Sequence, residues 1–81
     1  MSLTQAKKQV KALMNDTQTT PETKSALKTV KKHLDNKKQH VGVRKALTTL
    51  ETIADDVDTT PYERTRIWGI VSTLEDLSES F

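Results

Sequence analysis

The chain has no cysteine. Disulfides, thiolate catalysis and cysteine zinc sites are therefore excluded. Two glycines among 81 residues leave no Gly-rich phosphate loop. One Trp, one Tyr and one Phe supply all the aromatic surface, and no arginine occurs before Arg44. No apolar run approaches the roughly 20 residues that span a bilayer. Met1-Ser2-Leu3-Thr4-Gln5 lacks the apolar stretch of a signal peptide, so the expected compartment is the cytoplasm. Hydrophobic residues make up only 33%, and a chain this short buries a modest core. One domain over residues 1–81 is expected.

What is present is a repeat forty positions long. Asp16-x-x-Thr19-Thr20-Pro21 recurs as Asp56-x-x-Thr59-Thr60-Pro61. The apolar positions recur with it, as Leu3/Val43, Ala6/Ala46, Val10/Leu50, Leu13/Ile53, Leu27/Ile67, Val30/Ile70 and Leu34/Leu74. The pattern is a helix, a tight turn and a helix, built twice, with hairpins over about 1–38 and 39–81.

The first helix is expected from about Leu3 to Asp16. Leu3, Ala6, Val10, Leu13 and Met14 form its apolar stripe, with Lys7, Lys8 and Lys11 pointing away. Thr20-Pro21-Glu22 starts the second, combining a capping hydroxyl, a proline suited to the first position and an acid at the positive end of the dipole. Leu27, Val30 and Leu34 face inward, with Ala26 at the edge. The segment from Asp35 to His40 is a polar break. The third helix is expected over about Val41 to Val57, burying Val43, Ala46, Leu47, Leu50, Ile53, Ala54 and Val57. Thr60-Pro61-Tyr62-Glu63 repeats the start signal. The fourth helix then presents Ile67, Ile70, Val71, Leu74 and Leu77, with Phe81 continuing that face if the helix reaches it. Four amphipathic helices with short connections predict an all-α, up-and-down four-helix bundle. A pair of stacked helical-repeat units is the alternative, although two units are fewer than such arrays usually need.

The last third carries a resemblance. Asp56-x-x-Thr59-Thr60-Pro61-x-x-Arg64-x-Arg66-Ile67-Trp68-x-Ile70-x-Ser72-x-Leu74-Glu75 resembles the C-terminal signature of a small archaeal family known as an uncharacterised protein family. The likeness extends more weakly over the whole chain. It implies an all-helical bundle from an archaeon and carries no activity with it. A small polar residue such as Asn is expected where Gly69 stands. Glycine there marks either a close contact or drift, since it costs about 1 kcal/mol against alanine in an exposed helix.

Several residues are candidates for function. His33 and His40 are the only histidines. A polar break separates them, and they fall short of the three or four ligands a zinc ion takes. Asp55, Asp56 and Asp58 could offer oxygen ligands to Mg²⁺ or Ca²⁺. However, Asp56 repeats Asp16, so a turn cap or an arginine partner explains it more simply. No metal or cofactor is expected. No nucleophile has a histidine base at recognisable spacing, so the chain is expected not to be an enzyme.

Charge is unevenly distributed. Residues 1–40 hold nine lysines and three acids (Asp16, Glu22, Asp35), a balance of +6, and residues 41–81 hold four basic and eight acidic residues, a balance of −4; together they make the net +2. Lys24, Lys28 and Lys31 line one face of the second helix, with Lys32 alongside, and form a candidate polyanion contact. Arginine, the better bidentate partner for phosphates and bases, is missing there. Arg64 and Arg66 are candidate contacts for an anionic partner, or structural partners of Asp56, Asp58 or Glu63. Trp68 lies about 140° around the helix from the centre of the inward face, which makes it a candidate contact with a partner or a second copy. The expected function is a non-enzymatic helical protein-interaction module that can self-associate. The alternative is a weak, nonspecific nucleic-acid adaptor using the lysine-rich half. No membrane association is expected.

Overall fold

The computed structural model describes residues 3–80. It contains four α-helices in chain order: α1 (Leu3–Met14), α2 (Pro21–Leu34), α3 (Gln39–Ala54) and α4 (Pro61–Ser78). Each helix packs on its chain neighbours, and α4 closes the ring against α1. The result is a four-helix bundle measuring 32 × 19 × 18 Å. Short connections between packed neighbours set them up and down.

The repeat explains the core. Ala6/Ala46, Val10/Leu50, Leu27/Ile67, Val30/Ile70 and Leu34/Leu74 are all buried and belong to one hydrophobic cluster. Leu13 and Val43 are buried too, while their counterparts Ile53 and Leu3 are partly covered. Leu47 and Leu77 also flank the core as partly buried side chains. Phe81 lies outside the described residues.

Three helix boundaries differ from the sequence expectation. The first helix stops at Met14 rather than Asp16, and α3 runs over Gln39–Ala54 rather than Val41 to Val57. The polar break is thus shorter, because Gln39 and His40 already belong to α3. Val57, expected in the core, is 92% exposed in the following turn. The cause is the repeated turn itself. The Thr19 hydroxyl donates to the Leu13 carbonyl at 2.6 Å and the Thr59 hydroxyl to the Ile53 carbonyl at 2.7 Å. Asp16 Oδ1 accepts the Gln18 N–H, and Asp56 Oδ1 accepts the Asp58 N–H, both at 2.9 Å. These bonds satisfy carbonyls and amides that another helical turn would otherwise take up.

Gly42 marks a close approach of α3 to the end of α2. A Cβ there would lie 2.0 Å from the His33 carbonyl oxygen. Gly69 is different, because a Cβ there meets nothing within 4 Å. Its glycine answers no contact within the chain.

Candidate functional site

The two threonine caps converge on one carboxylate. Thr60 caps α4 in a capping box: its hydroxyl accepts the Glu63 N–H at 3.1 Å, and Glu63 Oε1 accepts the Thr60 N–H at 2.9 Å. Thr20 caps α2 by accepting from the Thr23 N–H at 3.4 Å. Position 23 holds threonine where the repeat would require the second glutamate. Glu63 supplies the missing carboxylate from the other hairpin. Its Oε2 accepts the Thr20 N–H at 2.8 Å and the Thr20 hydroxyl at 2.9 Å.

Glu63 is fully buried. Burial alone would push its pKa up, but the Thr60 and Thr20 amides and the Thr20 and Thr23 hydroxyls hold it down at about 2. Both helix N-termini also favour a negative charge there. The arrangement ties the two hairpins together, with both carboxylate oxygens hydrogen-bonded.

A second cross-hairpin contact lies beside it. The Tyr62 hydroxyl donates to Asp16 Oδ2. That bond, followed by the Gln18 amide, holds the Asp16 carboxyl below its usual range, and the same bond raises the Tyr62 phenol. The Arg66 guanidinium sits 5.7 Å from the Tyr62 ring centroid, and its Nη1 donates to the Tyr62 hydroxyl at 3.4 Å.

The two arginines have different environments. Arg64 is half-buried, and its Nε donates to the Ala54 carbonyl at 2.9 Å. Its Nη2 donates to the Asp56 and Thr59 carbonyls, each at 3.2 Å. Arg64 therefore binds carbonyl oxygens at the end of α3 and in the turn that follows, rather than a carboxylate of Asp56, Asp58 or Glu63. Arginine suits that role, because its fork can donate to several carbonyls at once. Arg66 is exposed.

Trp68 is 44% exposed on the outer side of α4. Beside it, Thr65, Gly69 and Ser72 are exposed as well. On the α1 side, a groove of about 390 Å³ runs between α1 and α4, with Leu13 and Ile70 among its lining and Lys8 and Arg66 supplying positive charge.

The lysine candidates are placed on one side of the bundle. Lys28, Lys31 and Lys32 are exposed and Lys24 is half-exposed on α2. On α1, Lys7, Lys8 and Lys11 are exposed and add positive charge, Lys7 toward the end of α2 and Lys8 in the groove toward α4. Lys7 pairs with Asp35 at 3.1 Å, a surface ion pair of small energetic consequence.

Asp55, Asp56 and Asp58 are exposed after α3. Among the described residues, no three His, Cys, Asp or Glu side chains group closely enough to hold a metal ion. No described helix is long and apolar enough to cross a membrane.

Sequence reasoning missed Glu63 as the bridge between hairpins. The signal was the repeat's departure at Thr23 and Glu63, where a buried acid replaces a threonine. It also missed the Tyr62–Asp16 bond and the tight approach at Gly42.

Comparison with curated proteins found no match, and comparison with solved structures found none. Residues 1–77 match a family described as Uncharacterised protein family (UPF0147), and the chain belongs to it.

Proposed function

We propose that this protein is a non-enzymatic helical interaction module that docks on protein partners through the outer side of α4. The observation that carries the reading is Trp68, a large aromatic left 44% exposed on a helix whose inward face is already filled. Tryptophan is enriched among the residues that dominate binding energy at protein interfaces. Glu63, Arg64 and Tyr62 are occupied in holding helix ends and hairpins together. The archaeal setting in this proposal rests on the family resemblance.

The test is affinity capture from the source cell with and without nuclease, comparing the parent with Trp68→Ala. The reading expects a protein that survives nuclease and is lost with Trp68→Ala. Loss of every partner on nuclease treatment would reject it.

The lysines of α1 and α2 support a second reading, a weak nucleic-acid adaptor. They act as solvated point charges, which suit backbone attraction without base readout.

A further inference from the structure

The charges of α4 are arranged so that the helix complements itself when reversed. Arg64 and Arg66 stand in its N-terminal half, while Glu75, Asp76 and the flanking Glu79 stand at its other end. The uncharged outer surface between them holds Thr65, Trp68, Gly69 and Ser72, all exposed. At 100° per residue, Arg66 and Asp76 lie within about 80° of each other and so share one flank of that surface.

From this we infer that the partner of the α4 surface is a second copy of this chain, packed antiparallel through α4 about a two-fold axis near Gly69–Ser72. The inference rests on the proposed interaction role and names its occupant. A two-fold contact must be self-complementary, so each pairing occurs twice. With the axis between Ile70 and Val71, Gly69 falls opposite Ser72 of the other copy. Arg66 falls about one residue from the level of the other copy's Asp76, on the same flank. A parallel pair would instead set arginines beside arginines and acids beside acids.

Trp68 supplies the apolar contact near the axis. A two-fold keeps its two copies on the same flank, so the indoles cover one another. The open space above Gly69 lets the second helix approach without displacing a side chain of its host.

The test is sedimentation equilibrium on the full chain across a concentration series, with helical content and melting checked for each variant. The parent should show a reversible monomer–dimer equilibrium. Arg66→Glu and Asp76→Arg should each weaken the dimer about tenfold or more, because each creates like-charge pairs at both symmetric positions. An equimolar mixture of the two variants should restore association, because both cross-copy pairs are then opposite in sign. Trp68→Ala should also favour monomer. A parent that stays monomeric at every concentration overturns the inference, as does a variant mixture that associates no better than its components. Either result leaves the nuclease-resistant, Trp68-dependent capture of a different protein to be judged separately.

Discussion

Glu63 and Thr20, forty-three positions apart, join the two hairpins through paired hydrogen bonds of 2.8 and 2.9 Å from the Thr20 amide and hydroxyl to one carboxylate oxygen. The same carboxylate closes the capping box of α4 through its other oxygen. One acid thus caps its own helix and completes the cap of a helix in the other half.

The threonine caps should therefore be unequal. Thr60→Ala removes one side-chain cap and should cost about 1 kcal/mol. Thr20→Ala removes a cap and a charge-assisted bond to Glu63, and should cost about 2 kcal/mol. Denaturant melts of both variants decide this. Equal losses would show that the Thr20–Glu63 bond contributes nothing.

Glu63→Gln keeps the shape of the side chain but removes the charge and turns one acceptor into a donor facing an amide or hydroxyl. The expected loss is about 2–4 kcal/mol, in the range for breaking a buried polar network. In a double-mutant cycle with Thr20→Ala, the two losses should add to more than the double variant shows. Strict additivity would contradict a direct coupling.

The folded Glu63 titrates at about 2, below its ordinary 4.5. A depressed carboxyl pKa adds stability that is present above the unfolded value and lost as pH falls through the folded value. Stability should therefore decline between about pH 4.5 and 2. Glu63→Gln should flatten that decline. An unchanged acid limb in the variant would place its origin elsewhere.

The two glycines should respond in opposite directions. Gly42→Ala puts a Cβ 2.0 Å from a backbone oxygen, which only a shift of α2 against α3 can relieve. A loss of about 1–3 kcal/mol is expected, as for an overpacked site. Gly69→Ala meets open space and should gain about 0.5–1 kcal/mol in dilute protein from helix propensity. Thermal melts of the two variants should move apart.

The bundle was legible in the sequence because its information is local and periodic. The stripe from Ala6 to Leu13 and the stripe from Leu27 to Leu34 each report a buried face without knowledge of what covers it. The Thr-Thr-Pro turns were legible for the same reason. Val57 was misplaced because its position continues the apolar period of α3, whereas the Thr59 hydroxyl bond to the Ile53 carbonyl belongs to the turn that ends the helix. The Glu63–Thr20 and Tyr62–Asp16 bonds depend on bringing separate hairpins together, and no spacing within either hairpin encodes them. Gly42 was silent because a close backbone approach leaves no mark beyond the missing side chain. Gly69 was the reverse case: the sequence raised a close contact as an option, and the structure shows open space.

Tyr62 is the only tyrosine in the chain, so its ionisation can be followed directly by ultraviolet absorbance. The hydroxyl donates to Asp16, and losing its proton would set two negative oxygens against each other. The phenol should therefore titrate above its ordinary 10.0, with the Asp16 bond as the main cause and burial adding to it, while Arg66 opposes the shift. For a group whose folded pKa is raised, the added stability is present below the unfolded value and disappears as pH rises through the folded value. Alkaline titration should thus weaken the link between the α1–α2 turn and the start of α4. Asp16→Asn should bring the phenol back toward 10.0, and Tyr62→Phe should remove the alkaline stability loss tied to this pair. If the parent phenol titrates no higher than in Asp16→Asn, the Tyr62–Asp16 bond does not persist in solution.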